Sequence, residues 1–351
     1  MDLNRMLNTT GEWLQGTGPE AEIVISTRMR LARNIAGIPF MTSLQGNERE
    51  KAERKVREAL LRARIVEPDN YLYMPDLSTT DRAFLVERHL ISRELADSTG
   101  PAGAAISDQE TVSVMVMEED HLRLQVLQSG LRLSEAWKLI DTVDNKVEGE
   151  LEYAFSNQFG YLTACPTNVG TGLRVSVMMH LPALCITRHI DKATQAVSKI
   201  FHTVRGIYGE GTEPLGHLYQ ISNQITLGKS EEEIIANVEK VIPRIIEYEQ
   251  KARETLLMKD RIQIEDRAWQ AFALLKYARI LTSEQVLTLL SAVRLGVHMQ
   301  ILPAIDIRLI NELMLFSQPA HLQKITGENL SPGERDERRA LFVREKLKNI
   351  G

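Results

Sequence analysis

TVSVMVMEEDHLRLQVLQ, from Thr111 to Gln128, is the stretch whose reading decides the fold. β-Branched and aliphatic residues lie on both sides of the polar triplet Glu118-Glu119-Asp120, the pattern of two strands closing on a tight turn. Such strands pair antiparallel, so the sheet grows from an antiparallel hairpin. Upstream, AEIVISTRMR from Ala21 alternates β-branched and polar residues and reads as a strand over 22–30 that runs into an arginine-rich turn. Downstream, Tyr161 to Leu181 is strand-like but interrupted by Pro166, Asn168, Gly170 and Gly172, which places a loop between two strands.

Around these strands, Glu48 to Arg64 reads as an exposed helix, His189 to Val204 as another helix, and His217 to Thr226 as a strand. Ser230 with Glu233 is a capping box opening a long helix toward Leu257. From Ile262 onward every periodic segment is helical. Thr282 with Gln285 opens one helix, Pro303 to Phe316 forms another, and Ser331-Pro332-Gly333-Glu334 opens the last. The composition thus passes from mixed α/β, of the α+β kind, to all-α. A boundary at 255–265 gives units at 1–258 and 259–351.

The chain has 351 residues, which is long for one average domain and suggests two. With 43% hydrophobic and 25% charged residues it has no compositional reason to be disordered. A net charge of −5 gives no basic footprint for nucleic acid. No uninterrupted apolar run reaches spanning length, and MDLNRMLNTT lacks a signal pattern, so neither a membrane nor export is expected. Cys165 and Cys185 are too few for a disulfide framework and have no metal-ligand spacing, which fits a reducing, cytoplasmic setting without a protein-held metal.

Phosphate binding by a Walker loop is excluded. Gly228-Lys229-Ser230 has the right tail, but the glycine needed five places earlier is Asn223, and Ser230 is instead a helix cap. What the chain offers is arginine near strand ends: Arg28, Arg30, Arg33, Arg123, Arg174 and Arg205. Their planar, permanently charged forks suit phosphate oxygens, although each taken alone reads equally as a solvated surface charge. Glu118 and Glu119 at the turn, and Glu210 in a glycine-flanked loop, are either polar caps or the carboxylates that a basic acceptor needs. A guanidinium, with a pKa above about 12, must be oriented and deprotonated before it attacks phosphorus.

Four segments in series, STRMRLAR (Ser26 to Arg33), EEDHLR (Glu118 to Arg123), CPTNVGTGLRVSV (Cys165 to Val177) and RGIYGE (Arg205 to Glu210), resemble the signatures of the phosphagen (guanidino) kinases. The resemblance covers roughly Ala21 to Ser230 and, within that superfamily, is closest to the bacterial protein arginine kinases. It implies a twisted, mainly antiparallel sheet flanked by helices, and an ATP- and Mg²⁺-dependent transfer to arginine. Arg28, Arg30, Arg123, Arg174 and Arg205 would clamp the phosphates, within nucleotide-binding runs Ser26-Thr27-Arg28-Met29-Arg30, Arg174-Val175-Ser176-Val177-Met178 and Arg205-Gly206-Ile207-Tyr208-Gly209-Glu210. Glu119 would be the general base, and Glu210 would hold the second face of the guanidinium. Cys165 would tune the acceptor site, its competing reading being a structural thiol. His89 in RHLIS is similar to a histidine that packs against adenine in the family, and otherwise reads as structural.

The sequence departs from the small-molecule guanidino kinases in three places. Only about twenty residues precede the first arginine strand, leaving no helical lid and an acceptor site open to a protein side chain. Met117 stands where an asparagine is common, and Met178 where a histidine is expected, which bears on nucleotide packing. The C-terminal helical part resembles the accessory domain of the arginine kinases through Arg335-Asp336-Glu337-Arg338-Arg339-Ala340. Read physically, this is a helix start with free N–H groups beside a basic face, equally a capped surface helix and a phosphoarginine cradle. The resemblance favours the cradle, with phosphoarginine as an allosteric ligand. It also implies arginine-bearing substrate proteins, an adaptor activator, a stress-response repressor, a Clp-type ATPase and a homo-oligomer. A kinase for free arginine, and a phosphoarginine-binding adaptor with an inactive kinase domain, are the competing functions.

Overall fold

The computed structural model describes residues 3–198, 202–206, 214–303 and 305–350. The predicted hairpin consists of β4 (Val112–Val116) and β5 (Leu122–Ser129), with Val116 opposite Leu122 and the turn closed by Met117 N–H donating to His121 O. The remaining strands are β1 (Val24–Arg33), β2 (Tyr71–Tyr73), β3 (Gly103–Ile106), β6 (Phe155–Ser156), β7 (Gly160–Tyr161), β8 (Leu173–His180), β9 (His202–Gly206) and β10 (Leu218–Asn223). Among the described residues eight of them form one sheet, ordered β2-β3-β4-β5-β1-β8-β10-β9, with every neighbouring pair antiparallel, while β6 and β7 pair separately.

The helices are α1 (Gly46–Arg62), α2 (Thr79–Glu87), α3 (Arg93–Ala96), α4 (Leu133–Glu148), α5 (Pro182–Ile186), α6 (Ile190–Ser198), α7 (Glu231–Lys259), α8 (Arg261–Tyr277), α9 (Ser283–His298), α10 (Ile307–Phe316), α11 (Pro319–Thr326) and α12 (Pro332–Leu347). The three capping boxes, at Ser230, Thr282 and Ser331, are all formed. Several boundaries differ from the sequence reading, two of them where a helix was expected. The helix expected over 189–204 ends at Ser198 among the described residues, and His202–Gly206 is an edge strand paired to β10, because β-branched Thr203 and Val204 find a partner there. The helix expected from Pro303 starts at Ile307, where Asp306 Oδ1 caps Arg308 N–H.

Alternation along the central strands gives the sheet one apolar and one polar face. Met29, Leu31, Leu124, Val126, Val175, Val177 and Ile221 are buried in the main core, where α4 and α7 pack on the sheet. Helix α4 presents Ala136, Ile140, Val143 and Val147, spaced three and four apart, to that core. The polar face carries arginine. A second apolar cluster, built from Phe272, Val286, Leu290, Ile310, Val343 and their neighbours, lies among the C-terminal helices.

Candidate active site

Register assembles the arginines. Arg30 lies opposite Arg174 on one side and Gln125 on the other, Arg28 lies opposite Ser176, and Arg123 lies opposite Ala32, so these residues occupy one face of neighbouring strands. Arg205 is opposite Gln220 on β10. The period of two also divides the quoted runs. Thr27, Met29, Val175 and Val177 fall on the helix-covered face, each at 0% exposure. Arg33 goes the same way: it is buried against Asp144 of α4 at 2.7 Å and lies over the Tyr161 ring.

Arg28, Arg30, Arg174, His89 and Met178 line a cleft of about 790 Å³. Arg28 is braced by Gln220 Oε1 at 2.8 Å, and Arg174 donates to Ser222 Oγ at 3.2 Å. Arg30 Nε is buried without a hydrogen-bond partner. Burial, followed by repulsion from Arg174 and Arg123, lowers the Arg28 guanidinium from its ordinary value to about 10. Arg30 is pushed well below its ordinary value by burial and by Arg28, Arg123 and Arg174. Like charges held together in a low-dielectric cleft are costly until an anion enters, and a polyphosphate supplies both the charge and the acceptors for such forks. Gly172, just ahead of β8, has φ +66°, and a Cβ there would come 2.6 Å from Ala32 O. That close approach is what brings the loop end, and with it Arg174, against β1.

The hairpin turn sets out the acidic groups. Arg123 donates to Glu118 at 2.7 Å and to Glu119 at 2.7 Å, and Ser92 Oγ also donates to Glu118. The Glu118 side chain is fully buried, whereas that of Glu119 is 41% exposed. Of the pair, only Glu119 can meet an incoming group. Its carboxyl is raised above the ordinary value by burial, against the pull of Arg123, which strengthens it as a base. Asp120, fully buried, accepts from Asn34 Nδ2 at 2.6 Å and from Ala164 N–H at 2.7 Å, and so pins the Cys165 loop to the turn. Cys165 is partly exposed, with Sγ 3.0 Å from Thr167 Oγ1.

Two family models meet this geometry. Residues 51–252 match the C-terminal catalytic domain of ATP:guanido phosphotransferases, and residues 261–351 match the protein-arginine kinase McsB C-terminal domain. The chain belongs to the protein-arginine kinases. It is 47% identical over 350 residues to the protein-arginine kinase of Moorella thermoacetica, covering 99% of both chains, and 46% identical over 348 residues to that of Halothermothrix orenii, again with 99% coverage of both. Among solved structures, the duplicated taurocyamine kinase of Schistosoma mansoni with bound transition-state analogue components superimposes with a TM-score of 0.61 at 28% identity. That match covers 70% of this chain and 35% of the duplicated one. Lombricine kinase gives a TM-score of 0.57 at 25% identity, covering 69% and 71%. The enzyme is thus a guanidino-type phosphotransferase with the fold of the phosphagen kinases.

The remaining expected residues are unevenly placed in this kinase. Ile207, Tyr208, Gly209 and Glu210 lie outside the described residues; Gly206 closes β9 opposite Tyr219. Ser26 and Ser176 lie on the arginine face and are nearly covered, at 2% exposure each. His89 has φ 59° at the end of α2, which turns its ring into the cleft against Trp13, 5.2 Å away edge-on. Burial and nearby Arg28 lower it to about 3, so the ring is neutral. In the C-terminal motif, Arg335 donates to Leu330 O and Arg338 lies 3.6 Å from Glu328. The guanidinium of Arg339, 1% exposed, holds Ser317 O, Leu281 O and Asp336, and Ala340 is part of the helical core.

Sequence reading missed Trp13, Gln220, Ser92 and the Asp120–Asn34 pair. Only Asp120 carried a signal, as the third acid of the turn. Gln220 reaches the site through pairing register, Trp13 through a short helical turn at Glu12–Leu14, Ser92 as the cap of α3 and Asn34 from the residue after β1.

Proposed function

We propose that the chain transfers the γ-phosphoryl group of ATP to a guanidinium nitrogen of arginine side chains in proteins. The observation that carries this reading is the row of partly buried like-charged forks, Arg28, Arg30 and Arg174, ending beside the Arg123–Glu119 pair. In the transfer, the nitrogen lone pair forms a bond to the γ-phosphorus. The bond from that phosphorus to the β–γ bridging oxygen breaks, and ADP leaves with the electron pair. The proton shed by the nitrogen goes to the Glu119 carboxylate, held in place through Arg123. The arginines neutralise charge on the phosphate oxygens, with Arg205 as the fifth from its place on β9 and Glu210 as the second carboxylate.

Among the described residues no group of three or more His, Cys, Asp or Glu side chains is placed to hold a metal ion. Mg²⁺ would enter as part of the nucleotide substrate and would supply further neutralisation of phosphate charge beside the arginines. No helix among the described residues is long and apolar enough to cross a membrane. The reading further includes a helical unit beginning near residue 259 that binds phosphoarginine at the motif of Arg335, Asp336, Arg338, Arg339 and Ala340, a cytoplasmic role in stress response and homo-oligomerisation. An adaptor activator, a stress repressor and a Clp-type ATPase complete the proposed partners.

Incubation with ATP, Mg²⁺ and an arginine-rich protein, followed by mass spectrometry without acid, should show phosphoarginine. Free arginine in excess should not suppress it. Unmodified arginines with a folded enzyme that binds ATP would overturn the reading. Arg335→Ala should weaken phosphoarginine binding at least tenfold and leave basal transfer intact, which separates the two units.

A further inference from the structure

The cleft has two chemically different ends. The arginines occupy one. The other is apolar, and its floor comes from the sheet: a bulge in β1 sets both Ile25 and Ser26 against Met178, which turns Ile25 onto the cleft face beside Leu218 and Met178. From Ile25 to Arg30 the strand covers about 16 Å. Trp13 and the neutral ring of His89 add flat, uncharged surface.

The opposing wall comes from the C-terminal helices. Leu287 of α9 and Met314 and Leu315 of α10 line the same cleft, and Leu315 shares an apolar cluster with Trp13, Ile25, Met178 and Leu218. The wall hangs on one buried side chain. Arg339 Nε donates to Ser317 O at 2.7 Å, two residues beyond Leu315, and Nη1 donates to Leu281 O at 2.8 Å, beside the cap of α9. Asn311 ties the same α10 to Leu14 O at 2.9 Å.

We propose that Leu287, Met314 and Leu315 of the helical region form the base-side wall of the ATP cleft, and that Arg339 is the positioning residue that holds this wall. The proposal rests on reading the cleft as the ATP site. An anionic tail on the arginines leaves a planar heteroaromatic ring for the apolar end, where burial and ring packing favour it. The helical region is then a part of the nucleotide site, and whatever binds around Arg339 acts on ATP affinity directly.

The test uses the full-length protein and calorimetry with two probes: ATP, and inorganic tripolyphosphate, which has the tail and no base. Met314 is only partly buried, so tryptophan there fills the apolar end without opening the core. Met314→Trp should weaken ATP at least tenfold and leave tripolyphosphate within twofold, while Met314→Leu leaves both within twofold. Arg339→Lys, which reaches one carbonyl at a time, should weaken ATP threefold or more, again sparing tripolyphosphate. ATP affinity unchanged in Met314→Trp overturns the wall, and so does an equal loss for both probes. ATP affinity unchanged in Arg339→Lys overturns the positioning role. A wild-type protein that binds neither probe sinks the ATP reading beneath the proposal, an outcome distinct from the other three.

Discussion

Replacing Arg30 by methionine should separate stability from activity. In the cleft the Arg30 guanidinium is driven well below its ordinary pKa, first by burial and then by Arg28, Arg123 and Arg174, with Glu118 acting the other way. Arg28 gives the scale, since burial together with Arg174 and Arg123 brings it from its ordinary value down to about 10. That displacement corresponds to about 3 kcal/mol against the charged form, and with burial as the largest cause the like-charge share is on the order of 1 kcal/mol. A base whose folded pKa lies below its unfolded one binds fewer protons when folded. The cost is therefore greatest at low pH and is relieved as the pH rises through the lowered folded pKa. Methionine at position 30 keeps the apolar stem while removing one charge and the unpartnered Nε. Without nucleotide the variant should match the wild type or exceed it by about 1 kcal/mol. With ATP at about 100 times its Kd, the wild type gains about 2.7 kcal/mol and the variant much less. Transfer should fall by about 10²–10³. Urea unfolding at fixed salt, with and without ATP, measures both stability effects. A variant destabilised by more than about 2 kcal/mol that still responds to ATP would refute the argument, because Arg30 would then be a structural ion-pair partner.

Glu119→Gln should lower kcat by about 10²–10⁴ while ATP affinity measured by calorimetry is kept. In the wild type, burial raises the Glu119 carboxyl, so kcat/KM should decline as the pH drops through a value above 4.5, and a profile flat down to 4.5 would remove Glu119 as the base. Asp120→Ala strands Ala164 N–H and leaves Asn34 Nδ2 only its bond to Leu162 O, which should cost about 1–3 kcal/mol in denaturant unfolding and raise KM for the protein acceptor more than KM for ATP. Unchanged stability would mean that the Cys165 loop is anchored elsewhere.

The fold was legible wherever a local rule acts alone. Three capping boxes, the 118–120 turn and the long amphipathic helices depend on residues within four positions of each other, and the structure keeps all of them. The failures fall where partners are distant in sequence. His202–Gly206 became a strand because β10 was there to pair with it, and β1 extends through Arg33 because β5 reaches Leu122 opposite. Neither partner is visible in a local window.

The site was legible in its charges and illegible in their sorting. The arginines of the first strand looked alike as text, yet the period of two sends Arg28 and Arg30 to the cleft and Arg33 to a buried pair with Asp144. The same parity puts Met29 and Val175 under the helices, at the cost of half of each motif run. The acids Glu118 and Glu119 also differ only in place: one is fully buried between Ser92 and Arg123, and the other is open to an acceptor. On a strand successive side chains face opposite ways, so a contiguous motif run divides its side chains between the cleft and the core. On α12 the helical period does equivalent work. Arg335 and Arg338 stay at the surface, while Arg339 turns inward to the carbonyls of Leu281 and Ser317. One side chain of that motif thus supports the nucleotide wall, and its neighbours remain available to a ligand from outside.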